Sequence, residues 1–224
     1  MNKKIILLLI LSTTSLFVLA AEAQNFPIKE WTSTDNKPLI FYISGDGGFN
    51  NFSINLCQSL NKKGFDVIAL NSKSYFWNKK TPAQTAADIN NYLSKKLTGR
   101  KNQQIILIGY SFGADVLPFV LNRLSKNIDD KVLVSFLMAS SGSTDFETHW
   151  SDMFGGNIKR SMDVVSEINK LSNNKIVIIS GSDDSNLDFK KITLKKYIHK
   201  VLPGGHHFDS DTEEIVKVII SDIS

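Results

Sequence analysis

Short apolar runs alternate with longer amphipathic segments from Leu39 to the end of the chain. The runs are apolar at consecutive positions, which is typical of parallel strands that are buried on both faces. Alternation of such strands with helices predicts an α/β fold, with a mostly parallel sheet and helices on both of its faces. The predicted strands are 39–43, 65–70, 105–108, 131–139, 175–179 and 197–202.

Capping residues and helix breakers set the predicted helices between these strands. Thr81-Pro82-Ala83-Gln84 is a capping box with proline at the first helical position, and it predicts a helix that extends to about Leu97. Pro118 lies inside another predicted helix, so we expect a kink there. Residues 141–174 form a longer excursion of mixed composition. The remaining predicted helices are 51–63, 112–124, 161–171 and the amphipathic segment from 212 onward.

The start of the chain has a different pattern. Lys3 and Lys4 precede an apolar run, and Ala21-Glu22-Ala23 is an A-x-A cleavage motif. This arrangement predicts a secretory signal peptide over residues 1–23 and a single domain over residues 24–224. An uncleaved membrane anchor is the alternative, but residues 12–15 interrupt the run before it reaches spanning length. We therefore expect an exported, periplasmic protein.

Charge and cysteine content narrow the function classes. The formal net charge is +4, and no block of lysine and arginine of the kind that nucleic-acid-binding proteins use is present, so no nucleic-acid partner is expected. The mild positive charge permits a weak peripheral contact with an anionic membrane surface. Cys57 is the one cysteine and lies on an apolar helical face, so we expect it to pack in the core.

A candidate nucleophile follows the apolar run 105–108. Gly109-Tyr110-Ser111-Phe112-Gly113 has the form G-x-S-x-G at a predicted strand-to-helix turn. A serine hydroxyl is a poor nucleophile, so it must be exposed, deprotonated by a base and placed beside oxyanion donors. A sharp turn exposes Ser111 and brings the next backbone N–H to the reacting carbon. The alternative is a glycine-rich turn with an idle serine.

Further candidate residues follow other predicted strands in a meaningful order. A glycine-rich turn at 44–48 comes first, then Ser111, then Asp183 and Asp184, and last His206 and His207. The order Ser, Asp, His is that of the α/β-hydrolases. In such a triad a neutral histidine accepts the serine proton, and the acid holds its tautomer.

These motifs resemble those of the α/β-hydrolases and, more narrowly, the bacterial VirJ/AcvB virulence-protein family. The resemblance rests on SGDGGF, the YFW and TP pair, GYSFGADVLPF and LPGGHHFD, and it spans residues 38–209. It implies an exported serine hydrolase with an α/β-hydrolase fold and little or no cap. Members are associated with cleavage of aminoacyl esters of phosphatidylglycerol, and some are associated with type IV secretion.

The acid and the base are each chosen from two neighbouring residues. Spacing among hydrolases places the acid three residues after the strand-end glycine, which favours Asp184 over Asp183. The resemblance also places the histidine four residues after Pro203, which favours His207 over His206. The expected triad is therefore Ser111, His207 and Asp184.

Other candidates concern the oxyanion and the substrate. The backbone N–H groups of Phe112 and Asp46 are the expected oxyanion donors. Asp46 or Asp115 is a candidate for binding a substrate ammonium, although Asp115 has the alternative of bonding a neighbouring turn. Tyr75 and Trp77 are candidates for an acyl-facing or lipid-facing wall, with core packing as the alternative.

No metal or other cofactor is expected, because His206 and His207 are adjacent rather than at helical ligand spacing. The predicted function is that of a serine esterase for an aminoacyl lipid or a related small ester. One alternative is an idle hydrolase-like module that binds lipid or a secretion-system partner. A peptidase that acts on short peptides is a further alternative, because it would use the same machinery.

Overall fold

The computed structural model describes residues 26–148, 160–172 and 175–223. The predicted signal peptide over residues 1–23 lies outside these described residues, and so does His149. The strands in the described part of the chain are β1 (Ile28–Trp31), β2 (Leu39–Ile43), β3 (Val67–Leu70), β4 (Ile105–Tyr110), β5 (Val132–Met138), β6 (Ser143–Thr144), β7 (Met162–Asp163), β8 (Lys175–Gly181) and β9 (Ile198–Leu202).

One seven-stranded sheet organises the fold, in the order β1-β3-β2-β4-β5-β8-β9, while β6 and β7 form a small antiparallel ribbon. The strands from β3 to β9 in this order are parallel neighbours, so the predicted mostly parallel α/β sheet is confirmed. Strands β2, β3 and β4 are buried at every position, as their continuous apolar runs predicted. Because parallel strands end at the same edge, the residues that follow β4, β8 and β9 meet there.

The antiparallel edge strand β1 was not predicted. It pairs with β3, and its sequence Ile-Lys-Glu-Trp is partly exposed throughout. An edge strand with two charged residues contains no continuous apolar run, so the hydrophobic pattern does not predict it.

Helices cover both faces of the sheet. They are α1 (Asn51–Lys62), α2 (Ser72–Tyr75), α3 (Pro82–Leu97), α4 (Phe112–Leu121), α5 (Lys126–Asp129), α6 (Val164–Ile168) and α7 (Thr212–Ile223). Helix α1 packs beside α7 over one face, and α4 packs beside α3 and α6 over the other. Each face therefore has its own apolar core. Cys57 is fully buried in one of these cores, as predicted.

Helix α3 begins where its capping residues predicted. The capping box is formed, because the Gln84 N–H donates to Thr81 Oγ1 at 3.1 Å and the Thr81 N–H donates to Gln84 Oε1 at 2.9 Å.

Two other helices end or begin at residues that differ from the predictions. Helix α4 continues past Pro118 but ends at Leu121, earlier than predicted. The helix predicted over 161–171 is shortened to α6, because β7 occupies its first residues. Residues 149–159 of this excursion lie outside the described chain, so the absence of a cap stays a prediction.

Candidate active site

Ser111 lies on a strained turn between β4 and α4. Its φ of 53° and ψ of −121° place a residue with a side chain in the left-handed region, at a cost of roughly 1–3 kcal/mol. The Ser111 N–H donates to the Met138 carbonyl of the neighbouring strand at 2.8 Å, which holds the turn on the sheet. The predicted sharp strand-to-helix turn is confirmed.

The glycines that flank Ser111 permit close approach of backbone segments. A Cβ atom on Gly109 would lie 2.5 Å from the Gly113 carbonyl oxygen, and one on Gly113 would lie 2.2 Å from the Ile43 carbonyl oxygen. Neither distance is tolerated by carbon and oxygen atoms, so no side chain fits at either position. The G-x-S-x-G spacing is therefore a steric requirement of this turn.

His206 joins Ser111 to Asp184 in a continuous chain of hydrogen bonds. His206 Nε2 lies 2.8 Å from Ser111 Oγ, and His206 Nδ1 lies 2.8 Å from Asp184 Oδ2. The Asp184 side chain is only 3% exposed, whereas the His206 side chain is 30% exposed. A carboxylate accepts the proton on Nδ1, which leaves Nε2 as the acceptor that faces the serine hydroxyl. This arrangement is suited to removing a proton from Ser111.

The prediction that His207 faces Ser111 is wrong by one residue. Gly204 adopts a left-handed φ of 89°, and its carbonyl accepts from the Asp183 N–H at 3.0 Å. This turn docks the loop on the end of β8 and directs His206 towards the serine. His207 points elsewhere, and its Nδ1 lies 2.5 Å from the Tyr110 hydroxyl. Spacing from the proline could not reveal this direction, because the turn's φ and ψ angles set it.

The choice of Asp184 over Asp183 agrees with the geometry. The Asp184 N–H donates to the Gly181 carbonyl at 3.2 Å, which forms the turn after β8. Asp184 Oδ1 then accepts from the Asn186 N–H at 3.1 Å, while Oδ2 faces His206. Asp183 is exposed, and its carboxylate accepts from the Ser182 hydroxyl instead.

The turn after β2 lies directly against the serine. A Cβ atom on Gly45 would lie 3.3 Å from Ser111 Cβ, so the Asp46 N–H belongs to the backbone that borders the serine. Buried Ser44 holds this turn, since its Oγ accepts from the Ser72 N–H at 3.0 Å. On the other side Phe112 begins α4, and the first N–H groups of a helix have no intrahelical acceptor. Both predicted oxyanion donors therefore lie in segments that flank Ser111.

The Asp115 side chain is hydrogen-bonded within the protein, and the prediction that it binds substrate is wrong. Its side chain accepts hydrogen bonds from the Ser140 hydroxyl at 2.9 Å and from the Ser141 N–H and hydroxyl at 2.6 and 2.7 Å. The residue is 7% exposed, and burial raises its pKa from the ordinary value of 3.8 to about 6. The carboxyl group therefore ties α4 to the segment after β5, which was the alternative that the sequence left open.

The two aromatic candidates separate in the structure. Tyr75 is 5% exposed, and its hydroxyl donates to Asp88 Oδ2 at 2.5 Å. Its predicted contact with the substrate is therefore wrong, and the alternative, packing in the core, is confirmed. Trp77 is 52% exposed. Between them Phe76 is fully buried and packs edge-on against Phe112, with ring centroids 5.0 Å apart. Only Trp77 of the two predicted wall residues is thus accessible, and its role stays a prediction.

Two features of the site had no signal in the sequence. Tyr110 fills a variable position of the motif, yet its hydroxyl reaches the loop that carries His206. Asn186 Nδ2 lies 3.3 Å from His206 Nδ1, beside the carboxylate. Both contacts join segments that are distant along the chain, so only folding brings them together.

Residues 26–148, 160–172 and 175–223 contain no group of three or more histidine, cysteine or acidic side chains arranged to hold a metal ion. No helix within these same ranges has the length and apolar character needed to cross a bilayer.

The parallel sheet, the strained serine turn after β4, and the acid and histidine after β8 and β9 together define an α/β-hydrolase fold. The chain belongs to the VirJ family, whose model, described as "Bacterial virulence protein (VirJ)", matches residues 37–224. The sequence matches no curated protein.

Three solved structures have folds similar to that of this chain. The enol-lactonase from Burkholderia xenovorans has a TM-score of 0.64 at 11% identity, with 88% of this chain and 95% of that chain covered. A putative dienelactone hydrolase from Klebsiella pneumoniae has a TM-score of 0.62 at 12% identity, with 88% and 98% covered. Est1E from Butyrivibrio proteoclasticus has a TM-score of 0.59 at 13% identity, with 88% and 94% covered. At these identities the likeness concerns the fold.

Proposed function

We propose that this protein is a serine hydrolase of ester bonds, with Ser111 as nucleophile, His206 as general base and Asp184 as the acid that orients it. One observation carries the proposal. The unbroken chain from Ser111 Oγ through the His206 ring to Asp184 Oδ2, with 2.8 Å at each step, begins at a serine on a strained turn. Strain of this kind is retained where it serves function.

The reaction follows from the positions of these atoms. His206 Nε2 accepts the hydroxyl proton while Ser111 Oγ bonds to the ester carbonyl carbon, and the alcohol then leaves with that proton. Water hydrolyses the acyl-enzyme by the same route, with His206 again acting as base. Asp184 accepts from His206 Nδ1, which orients the imidazole and stabilises the imidazolium that forms.

The tetrahedral intermediates carry a negative oxygen that needs donors. We assign this role to the N–H groups of Phe112 and Asp46, which flank the serine on its two sides. Removal of a single oxyanion donor costs on the order of 10²–10³ in turnover in other hydrolases. Both donors are backbone groups, so their positions are fixed by α4 and by the turn after β2.

The proposed substrate is an aminoacyl ester of phosphatidylglycerol or a related small ester. Membership of the VirJ family supports this substrate, and the names of two similar solved structures, a putative dienelactone hydrolase and an enol-lactonase, support an ester as the bond that is cleaved. Asp46 is half-buried beside the serine and is the candidate for binding the substrate ammonium.

The proposed location is the periplasm. The leader pattern over residues 1–23 supports export, and accessible Trp77 together with the positive net charge supports a peripheral contact with an anionic membrane. Association with a secretion system is a further proposal, which rests on the family alone.

Active-site labelling tests the hydrolase proposal. Purified residues 24–224 should react with a fluorophosphonate probe and hydrolyse a soluble aryl ester, whereas Ser111→Ala should do neither. Ser94→Ala is the matched control, because Ser94 is exposed on α3. Absence of labelling and turnover in the folded wild-type protein would favour the idle binding module instead.

The substrate proposal needs a separate assay. Vesicles that contain lysyl- or alanyl-phosphatidylglycerol are incubated with the wild-type protein and with Ser111→Ala, and the lipids are analysed by mass spectrometry. Loss of the aminoacyl lipid and release of the free amino acid with the wild type alone supports the proposal. Probe labelling without lipid turnover would retain the hydrolase and exclude this substrate.

A further inference from the structure

A second hydrogen bond joins the histidine loop to the serine turn. The Tyr110 side chain, immediately before Ser111, places its hydroxyl 2.5 Å from Nδ1 of His207. The same hydroxyl is 3.4 Å from the carbonyl oxygen of His206. Tyr110 thus contacts both histidines of the loop, and neither contact involves the His206 ring, which belongs to the proposed proton-transfer chain.

The tyrosine is itself firmly held. Tyr110 is 2% exposed, and its ring packs on Phe52 with centroids 4.5 Å apart. Burial raises the pKa of the Tyr110 hydroxyl well above its usual value, and the nearby carboxylates of Asp46 and Asp184 act in the same direction. The hydroxyl therefore keeps its proton, and the tautomer of His207 sets which group donates in the hydrogen bond between this hydroxyl and Nδ1.

The loop that receives this bond has an unfavourable backbone. Phe208, Asp209 and Ser210 have positive φ values of 51°, 49° and 62°, in a region that residues with a Cβ atom rarely adopt. Such conformations are strained, so the loop keeps this shape only where contacts hold it. Phe208 supplies one contact by burying its ring, and the bond to Tyr110 supplies another.

We propose that Tyr110 and His207 are positioning residues, whose hydrogen bond holds the loop so that His206 Nε2 stays within reach of the Ser111 hydroxyl. The inference rests on the proposed function, because it assigns a use to the second histidine in the same reaction. His207 contacts neither Ser111 nor Asp184 in the described structure and acts through the backbone of its neighbour. A misplacement of about 1 Å in such a catalytic group can cost about 100-fold in rate.

Replacement of each partner tests the bond. Tyr110→Phe removes the hydroxyl and keeps the ring, and His207→Ala removes the imidazole that bonds to it. Each should lower kcat for a soluble aryl ester by about 10-fold to 100-fold, with KM changed by less than about threefold, because substrate binding is retained while proton transfer is impaired. His199→Ala, on β9, is the matched histidine control and should retain kcat.

A conservative variant separates positioning from general packing. The Asn side chain places an amide group, which can accept or donate, close to where Nδ1 of a histidine lies. His207→Asn should therefore recover most of the turnover that His207→Ala loses. In the Tyr110→Phe background the Asn and Ala variants at position 207 should have equal kcat, because the hydroxyl that bonds to this side chain is gone. Circular dichroism melts check that each variant is folded.

The outcomes are distinct from those of the hydrolase proposal. Equal kcat in wild type, Tyr110→Phe and His207→Ala would overturn the positioning role while the triad stands. A loss in His207→Ala as complete as that in Ser111→Ala, with no recovery in His207→Asn, would also overturn it and make His207 the base. Failure of the wild-type protein to label or turn over ester overturns the proposed function, and with it this inference.

Discussion

Asp115→Asn should change how the stability of the protein depends on pH. The carboxyl group is buried, and its pKa is raised from 3.8 to about 6 in the folded protein. Between these two values the folded state binds the proton more tightly than the unfolded state does. The contribution of the Asp115 carboxyl to the free energy of unfolding is therefore fully present below about pH 3.8 and is lost as pH rises through about 6.

The size of the effect follows from the two pKa values. Each tenfold change in an ionisation equilibrium is worth about 1.4 kcal/mol, so a rise from 3.8 to about 6 corresponds to roughly 3 kcal/mol. An asparagine keeps an oxygen that can accept from the Ser140 hydroxyl and the Ser141 N–H, and it does not ionise. The free energy of unfolding of the variant therefore does not fall with pH through this group. Any other effect of the substitution on the free energy of unfolding is the same at every pH.

Urea unfolding of both proteins at several values between about pH 3.5 and pH 7.5 measures this difference. The free energy of unfolding of the wild type should fall by roughly 3 kcal/mol relative to Asp115→Asn across the range. Asp130→Asn is the control, since an exposed carboxylate contributes little to stability. A wild-type-minus-variant difference that stays constant with pH, or that rises with it, would refute the reasoning.

The remaining predictions concern the serine turn, the base and the leader. Ser111→Ala should lower ester turnover by about 10⁴–10⁶ with little change in the thermal midpoint, as stopped assays and calorimetry would show. His206→Ala should lose turnover to a similar extent, and turnover near wild type in that variant would exclude it as the base. Gly113→Ala should destabilise the protein by more than about 3 kcal/mol in urea unfolding, because the new Cβ would lie 2.2 Å from a backbone oxygen. Intact-mass analysis of exported protein should give a chain that begins near Gln24. Retention of residues 1–23 would contradict the prediction that they form a cleaved signal peptide.

Local patterns were sufficient to predict the sheet and the turn that carries Ser111. Continuous apolar runs depend on burial of both strand faces, so they predict parallel strands without knowledge of their neighbours. A capping box is a contact between residues three apart, and Thr81 with Gln84 formed as predicted. The turn at Ser111 likewise follows from its two flanking glycines, whose steric need is local.

Side-chain directions in the loops were decided by the tertiary structure. The choice between His206 and His207 depends on how Gly204 turns the loop against the end of β8, and adjacent side chains then point apart. A count of residues from the proline does not contain that information. The Asp184 choice succeeded because its turn is closed by a nearby bond to Gly181.

The sequence by itself therefore determined the α/β class, the order of the chemical groups along the chain and the turn that carries Ser111, because each depends on neighbours within a few residues. Only the tertiary structure decided which histidine meets Ser111, and it placed Asp115 and Tyr75 among buried partners rather than substrate contacts. These features depend on groups from separate strands and helices. Their distances are set when the elements pack, and no local pattern records them.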